Sequence, residues 1–402
     1  MDTETLAEMG MISLDIDLVS LERVPDLKQR WTELEERADA SFFLSWLWIG
    51  NWLDCLPQGV RPHVMMARRN GKVVGLAILC PRTLWRFGFL RTHCWFLHET
   101  GDELYDRLFI EYNGILADRS CADAVTQACL HWLRQRLTPC DELILGGLGT
   151  EAESAARRVA ESAGDSLIVR VADTAQMVEL DRVREAGGDY RASLGRNTRS
   201  SVNRSARLYA ERGKVEFRVA ETVEDALADF ELLEVLHQAH WTARGQSGAF
   251  HNPAFRPFHQ KLITQGVPVG AIRLCRTTAG GQPIGVLYNF VHRGRVLNYQ
   301  GGFAYEQDNR LKPGVLSHVL AIEDTLERGE RCYDFLATPS GHKPLLSNAE
   351  KPMNWLAVGP DRLNRQIDTQ LRAIKARTAQ LCRRARRELA QRRGPQTVQA
   401  DR

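Results

Sequence analysis

The chain has 402 residues, and this length predicts two domains because it is too long for one ordinary hydrophobic core. Its 53 basic and 50 acidic side chains leave a net charge of only +3, so the overall charge does not indicate a nucleic-acid partner. Nine scattered cysteines without a Cys-x-x-Cys pair argue against a disulfide framework or a structural zinc site and predict a reducing compartment. The acidic N terminus and the lack of a long apolar run argue against a signal peptide and a membrane span, so we expect a cytoplasmic protein.

The first half of the chain has the pattern of an α/β unit. Its predicted elements are an edge strand over 12–19, a helix over 24–38, a hairpin turning at Asn70-Gly71, a helix over 122–137 and a strand over 142–145. Residues 157–178 predict a helix end followed by two strands. One aromatic run is either a hydrophobic substrate wall or part of the core, and the core is favoured because periodic aromatic residues usually pack. This run comprises Phe42, Phe43, Trp46, Trp48 and Trp52.

Two helices of the second half carry polar side chains that have more than one interpretation. The helix over 190–208 has arginines around a thin apolar stripe, which fits either a solvated connector or phosphate and tRNA contact through Arg199, Arg204 and Arg207. The helix over 224–241 places His237 and His240 at a spacing that suits a metal, but no third ligand lies nearby in the sequence, so no zinc site is expected. Packing in the core is the favoured role of the two histidines. The alternative is contact with a substrate, for which His240 and Trp241 are the candidates.

The stretch around which the chain is organised covers residues 281–343. Two apolar strands flank a turn at His292-Arg293-Gly294, a polar loop follows, Pro313 and Gly314 start a helix, and residues 332–337 form a buried strand. This order of elements is what a transferase that uses acyl-CoA requires.

The helix start in this stretch is a candidate phosphate site. A helix N terminus has unpaired N–H groups and a partial positive charge, so it can hold a pyrophosphate. Gly314 lets the backbone approach the phosphates, and Arg310 and Lys312 add charge beside Pro313 and Val315.

The helix and strand at 122–145 recur in kind at 315–336, each pair after a central hairpin. The offset of roughly 190 residues is too long for a solenoid and fits two copies of one domain. Only the second copy has Pro-Gly before its helix, so we expect that copy to hold the cofactor and the first to shape the acceptor site.

These motifs resemble the GNAT superfamily, and specifically the FemAB-like double-GNAT proteins of the cellulose-biosynthesis-associated acetyltransferase family. The matching residues are Tyr299 with Gly301-Gly302-Phe303, Pro313-Gly314, Gly329, Tyr333-Asp334-Phe335-Leu336, the segment from Ser41-Phe42-Phe43 to Trp52, and the basic helix near 190–213. The family usually continues with Tyr-Lys and an aromatic residue, whereas this chain has His342-Lys343-Pro344.

The resemblance covers most of residues 10–358 and implies an α/β fold of two tandem GNAT-like domains, each a mixed, mostly antiparallel sheet flanked by helices. We place a degenerate acceptor-side domain at 10–180, an acyl-CoA domain at 181–360 and a basic helix with its tail at 361–402. In such proteins the acceptor lies between the domains. Glu111, Tyr112 and Asn113 are therefore candidate acceptor contacts, although a solvated charged face is the favoured alternative.

The resemblance also implies a reaction. An acetyl or longer acyl group would move from acyl-CoA, without a metal, to an amine or hydroxyl of a small molecule or a saccharide in exopolysaccharide or cellulose biosynthesis. Two alternatives stay open: an aminoacyltransferase that uses aminoacyl-tRNA, and a non-catalytic accessory protein of a polysaccharide-synthesis complex.

Catalysis of this kind needs positioning, donors for the thioester carbonyl and a general base. Glu306, Asp308 and His342 are the candidate bases, and Lys343 would bind an anionic group or stabilise developing charge. Tyr299 either hydrogen-bonds the leaving thiolate or packs in the hairpin.

The C-terminal stretch from Arg362 has an apolar helical face and an arginine-rich end. Such a helix lies on an anionic membrane, contacts nucleic acid, pairs with a partner helix, or is a solvated tail. The tail is slightly favoured, because no aromatic anchor accompanies the arginines.

Overall fold

The computed structural model of the protein describes residues 13–108, 110–337, 341, 343–361, 365–371 and 374. Its strands form one mixed sheet in the order β1-β2-β3-β4-β6-β13-β7-β12-β11-β10-β9-β8, with β5 beside β3. The strands are β1 (Asp15–Ser20), β2 (His63–Arg69), β3 (Lys72–Arg86), β4 (Leu90–Leu97), β5 (Leu116–Ala117), β6 (Glu142–Leu148), β7 (Asp165–Glu179), β8 (Val215–Val219), β9 (Ile272–Ala279), β10 (Gln282–His292), β11 (Arg295–Phe303), β12 (Cys332–Asp334) and β13 (Ala349–Pro360).

Helices pack on this sheet and connect its strands. They are α1 (Leu27–Arg37), α2 (Trp46–Asp54), α3 (Glu103–Asp106), α4 (Ala122–Arg136), α5 (Thr150–Ala163), α6 (Leu180–Glu185), α7 (Tyr190–Ser193), α8 (Arg196–Ala210), α9 (Val223–Thr242), α10 (Phe255–Gly266), α11 (Pro313–Glu327) and α12 (Lys343–Leu346). The predicted elements of the first unit are confirmed at β1, α1, the β2–β3 hairpin, α4 and β6. Asn70 and Gly71 both have positive φ, as a two-residue hairpin turn requires.

The strand order shows an internal repeat. In the first unit β4 pairs in parallel with β6, and in the second β11 pairs in parallel with β12. The last strand of each unit lies between its own unit and the other, because β13 pairs with β6 and β7 pairs with β12. β7 and β13 also pair with each other along their length, so the two units exchange strands and share one continuous sheet.

The aromatic run before and within α2 lies in the core, as predicted. The rings of Phe42 and Phe290 stack with centroids 4.3 Å apart, and Trp48 packs edge-on to Phe258 and Phe290 at 5.0 and 5.7 Å. Since Phe258 and Phe290 belong to the second unit, the run joins the two units through one hydrophobic core.

Residues 157–178 differ from their prediction. Instead of two strands they form the end of α5 and one continuous strand, β7. The chain makes no turn within β7. This single strand continues across the junction between the units, where it pairs with both β13 and β12.

Residues 365–371 are helical and are held to the first unit by buried ions. Arg86 donates to Glu142 and to Asp368 at 2.6 and 3.2 Å, and Arg365 donates to the carbonyl of Ala357 at 3.0 Å. The arginine-rich end predicted for the C-terminal helix lies outside the described residues. No helix in the described part of the chain is both long enough and apolar enough to cross a bilayer.

Candidate active site

A cleft opens where β11 and β12 separate. The two strands pair in parallel only from Arg295–Leu297 to Cys332–Asp334, and beyond these residues they diverge. A cavity of about 1280 Å³ fills the gap, with residues 298–303 of β11 on one side and Leu336 and Lys343 on the other. A register shift at Tyr288 and Asn289 adds one residue to β11 at Tyr299, so the strand bends at the mouth of the cleft.

The corresponding gap in the first unit, between β4 and β6, is filled by a segment of the same unit. β4 and β6 pair only over Cys94–Phe96, and the edge of β6 beyond is taken by Asn113, whose N–H donates to the Gly147 carbonyl at 2.9 Å. The His98 ring and the Asn113 side chain also hydrogen-bond at 2.8 Å. The segment that closes this gap continues into the second unit's cleft, where it contributes Glu111.

Glu111 is a buried carboxylate that lines the cleft. Burial raises its pKa to about 7, against the opposing effects of the Ala337 N–H, which donates to Glu111 Oε2 at 2.8 Å, and of Lys343. A carboxylate with a pKa near neutrality is suited to accept a proton. The sequence placed Glu111 among the acceptor contacts, and its environment makes it a candidate general base.

Lys343 lines the same cleft and is also buried. Its Nζ donates to the Phe335 carbonyl at 2.6 Å. Burial lowers the pKa of the ammonium to about 8, and the negative charges of Glu111 and Asp334 oppose this shift. The cleft therefore contains an acid and a base whose proton affinities have been brought close together.

Asp334 has a structural role at the base of the cleft. Its carboxylate is fully buried and accepts hydrogen bonds from the Tyr112 hydroxyl at 2.6 Å and Arg295 at 2.8 Å. The Leu336 N–H donates to it at 2.8 Å, which shapes the chain where it leaves β12. The bond from Tyr112, the residue after Glu111, ties the first unit to the second.

Tyr299 lies at the cleft wall inside the aromatic core. Its ring stacks on Phe290 with centroids 4.7 Å apart, and its hydroxyl donates to the Leu108 carbonyl. Burial raises its pKa well above the ordinary value, so the phenol stays protonated at neutral pH. Because that proton is already donated, the contacts support the packing interpretation over donation to a thiolate.

His240 and Trp241 line the cleft from α9. The His240 ring lies 4.2 Å from that of Tyr305, and His237 beside it is buried, with a pKa lowered to about 4 by burial. Both histidines are neutral near pH 7 and, with Trp241, form an aromatic wall of the cleft, and the substrate contact of His240 and Trp241 stays a prediction.

Glu306 and Asp308 lie on the loop before α11, outside the residues that line the cleft. The Glu306 carboxylate is held by Arg212 through two bonds of 2.7 Å. Asp308 is held by Arg310 at 2.7 Å, which lowers the Asp308 pKa to about 2. The structure does not bring either carboxylate to Lys343. His342, the third candidate base, lies outside the described residues.

The α11 N terminus begins as predicted at Pro313. The Lys312 N–H donates to Ser205 Oγ of α8 at 3.0 Å, while the Lys312 side chain is exposed. Gly314 is buried, and a Cβ there would lie 3.2 Å from the Phe303 ring. The absent side chain therefore makes room for Phe303, and Gly314 and Val315 have first-turn N–H groups with no acceptor inside the helix.

The part of the chain that contains β11, α11 and β12 matches a known domain family. Residues 196–344 match the model of an acetyltransferase (GNAT) domain. No curated protein matches this chain.

Solved structures share the fold at low sequence identity. The C-terminal domain of a protein described as a lysylphosphatidylglycerol synthetase from Agrobacterium fabrum is 13% identical with a TM-score of 0.51, over 87% of this chain and 95% of that one. FemX is 10% identical with a TM-score of 0.51, over 81% and 95%. L-PGS from Bacillus licheniformis is 10% identical with a TM-score of 0.51, over 84% and 92%. The chain thus shares the fold of these proteins, its residues 196–344 match a GNAT domain, and the predicted α/β fold class is confirmed.

A second cavity, of about 980 Å³, is lined by residues of both units, among them Thr150 of the first and Arg295 of the second. Tyr112 and Asn113 line this cavity and not the cleft that contains Glu111, so the three candidate acceptor contacts are divided between two sites. Tyr112 separates the two spaces, because its ring lies under Arg295 at 5.4 Å and its hydroxyl is bonded to Asp334.

Sequence reasoning missed His318 in the GNAT cleft. This residue of α11 is buried, lines the cleft and shares a 3.1 Å hydrogen bond with the Tyr333 hydroxyl. It lies on the apolar helix face between Val315 and Ile322, and a histidine at such a position was a signal that the sequence contained. Within the described residues, no group of three or more His, Cys, Asp or Glu side chains could hold a metal ion.

Proposed function

We propose that the protein is an acyltransferase whose reaction takes place in the cleft between β11 and β12. The observation that carries the proposal is the separation of these strands around a cavity that contains Glu111 and Lys343, with their pKa values near 7 and 8. A strand edge without a partner strand supplies backbone groups for an extended ligand, and the buried pair supplies proton transfer.

In the proposed reaction an acceptor amine or hydroxyl attacks the acyl carbon, and the bond between that carbon and the thioester sulfur breaks with its electron pair on sulfur, so that CoA leaves as its thiolate. The proton of the nucleophile moves to the Glu111 carboxylate. The Lys343 ammonium stabilises the negative charge that develops, and N–H groups of β11 polarise the carbonyl.

The proposed acyl donor is acetyl-CoA or a longer acyl-CoA. Its pyrophosphate would lie at the α11 N terminus, near the free N–H groups of Gly314 and Val315 and the exposed side chain of Lys312. The Arg310 side chain forms an ion pair with Asp308, so substitution of Lys312 is the better single test of the phosphate site. A saccharide acceptor rests on the sequence resemblance alone.

The experiment is ligand-induced thermal stabilisation with acetyl-CoA, longer acyl-CoAs and free CoA. A ligand in hundredfold excess over its dissociation constant stabilises the folded protein by about 2.7 kcal/mol. Lys312→Glu should reduce this shift, whereas Lys28→Glu, an exposed change on α1, should leave it intact. Absence of any shift with every CoA derivative would remove the proposed donor.

A second candidate is transfer from aminoacyl-tRNA. Arg204 and Arg207 are exposed on α8, which contacts the start of α11 through Ser205. Arg199 is less available, since it donates to the Ala192 carbonyl at 3.0 Å. FemX has the same fold, which is compatible with either donor. If Arg204→Glu with Arg207→Glu leaves transfer and its salt dependence unchanged, this candidate loses its support.

A further inference from the structure

The cleft has a wall to which the proposed transfer assigns no role. This wall consists of the end of α9 and the segment 243–254 between α9 and α10. The segment reaches the first unit, since the Asn252 side-chain amide donates to the Leu104 carbonyl at 2.7 Å. It also packs closely on α9, because a Cβ at Gly248 would lie 2.6 Å from the His237 ring. The segment therefore bridges α9 and the first unit along the cleft.

The ionisable side chains that line the cleft are mostly cationic. Arg107, Arg244 and Lys343 are its basic side chains, and Glu111 is the one carboxylate among the described residues that line it. Burial raises the pKa of Glu111 to about 7, so at neutral pH this carboxylate balances less than one positive charge. The cleft therefore carries a net positive charge, which favours an anionic ligand.

Two of these three cations have partners within the fold. Arg107 donates to the Glu103 carboxylate, and the Nζ of Lys343 donates to the Phe335 carbonyl at 2.6 Å. The side chain of Arg244 is exposed, and it forms neither a hydrogen bond nor an ion pair with another residue that the structure describes. Its guanidinium is therefore available to a ligand in the cleft.

Arg244 follows α9 and lies beside an aromatic pair. The rings of His240 and Tyr305 are 4.2 Å apart and inclined at 30° to each other. Burial lowers the pKa of His240 and raises that of Tyr305, and the positive charge of Arg244 acts on both groups. The guanidinium therefore lies close to this ring pair, and a ligand that binds it would lie along the aromatic wall.

We propose that Arg244 determines which acceptors enter the cleft, and that these acceptors carry an anionic group, a carboxylate or a phosphate. The inference rests on the proposed acyltransferase function and adds the class of the acceptor to it. The planar guanidinium binds two oxygens of such a group through paired hydrogen bonds, while the amine or hydroxyl of the acceptor faces Glu111. The bonds that form and break stay those of the proposed transfer, because Arg244 acts only by selecting and positioning the acceptor.

The experiment is thermal stabilisation of the full-length protein, saturated with CoA, by two pairs of amines. L-phenylalanine and phenethylamine differ by a carboxylate, and phosphoethanolamine and ethanolamine differ by a phosphate. In at least one pair we expect the anionic amine to have an apparent Kd roughly tenfold or more below that of the neutral amine, because only the anionic amine forms hydrogen bonds with the guanidinium. The pair that shows the difference identifies the anionic group as a carboxylate or as a phosphate.

Substitutions of Arg244 test whether this residue causes the difference. Arg244→Gln should bring the ratio of the two Kd values close to one and leave the shift produced by CoA alone unchanged. Arg244→Lys should restore part of the ratio, because an ammonium keeps the charge without the planar fork. The matched control is Arg136→Gln, at an exposed arginine that ends α4 and is outside the residues that line either cavity. This control should keep the ratio of the unchanged protein.

Three results would overturn the proposal. Equal affinities within both pairs, or no binding of any of the four amines, would remove the anionic acceptor. A ratio that persists in Arg244→Gln would assign the contact to Arg107 or Lys343. Loss of the CoA shift in Arg244→Gln would place this arginine at a phosphate of the donor. Failure of the proposed function has a different signature, since the unchanged protein would then show no shift with CoA, and the inference would fall with it.

Discussion

Glu111 is the side chain whose protonation should govern the rate of the proposed reaction. Because its pKa is raised to about 7, the carboxylate is largely protonated below that pH and cannot accept a proton. We therefore expect kcat/KM to rise with pH through about 7. Glu111→Gln should lower kcat by about 10²- to 10⁴-fold and abolish this rise, since a positioned base contributes that much.

The matched control for Glu111→Gln is Glu103→Gln, a change in the same segment at an exposed carboxylate. Transfer by this variant should keep both its rate and its pH profile. A Glu111→Gln enzyme with the original profile would show that another group accepts the proton.

Lys343 should determine the alkaline side of the same profile. Its pKa is lowered to about 8, so the positive charge is lost as the pH rises through that value, and activity should fall. Lys343→Arg should move this fall to higher pH, because a guanidinium does not deprotonate in that range. The measurement is kcat against pH for both proteins, and an unchanged alkaline limb would remove Lys343 from the reaction.

The sequence identified Glu111 and Lys343 as candidates but not as neighbours. Ala337, which bonds to Glu111, is 226 residues away in the chain, and Tyr112 and Asp334 are 222 apart. Contacts of this range have no local pattern. By contrast, Glu306 and Asp308 had the right chemistry, and only the structure reveals that each carboxylate is held by an arginine of its own surroundings.

The buried ion cluster between β3, β6 and the C-terminal helix should contribute strongly to stability at the scale of elements. Glu142 faces Arg86 at 2.6 Å and Arg365 at 3.5 Å with almost no solvent access. Glu142→Gln would leave buried guanidinium charge without its partner, so we expect a loss of about 3–5 kcal/mol in the free energy of unfolding. Glu103→Gln, in an exposed pair, should cost less than about 1 kcal/mol.

Urea titration followed by circular dichroism measures both changes. A loss for Glu142→Gln as small as that for Glu103→Gln would mean that the cluster is solvated and that the C-terminal helix is held by other contacts.

Helices and strands were predictable where the spacing of the apolar residues agreed with the residues that start and end the element. α11 has Pro313 at its start and Gly329 after its end, and the β2–β3 hairpin has Asn-Gly, so both were placed correctly. β7 was not, because a strand that joins two units has the same alternation as two shorter strands. The packing at Gly314 was also not predictable from the local sequence. The ring that lies against this glycine belongs to Phe303, which is on another element, β11.

At the scale of the molecule, the repeat in the sequence predicted two copies but not the exchange of strands between them. In each unit one strand pairs with a strand from the other half of the chain, β13 with β6 and β7 with β12. Phe42, Trp48 and Phe290 belong to one hydrophobic core that extends across both units. The division of labour follows from this arrangement. The gap between β4 and β6 of the first unit is closed by the segment that contains Asn113. The same segment places Glu111 in the cleft of the second unit.

A chain built in this way should unfold as one cooperative unit. Seven of its nine tryptophans precede residue 180, so fluorescence reports mainly on the first unit, whereas far-UV circular dichroism reports on both. We expect the two signals to give the same urea midpoint. Leu356→Ala, in the buried part of β13, should lower the stability by about 2–5 kcal/mol and move both signals together. Val169→Ala, the partially exposed partner across the strand pair, should change it by about 0.5 kcal/mol or less. Separate midpoints, with Leu356→Ala moving only the fluorescence signal, would mean that the units fold independently despite the exchanged strands.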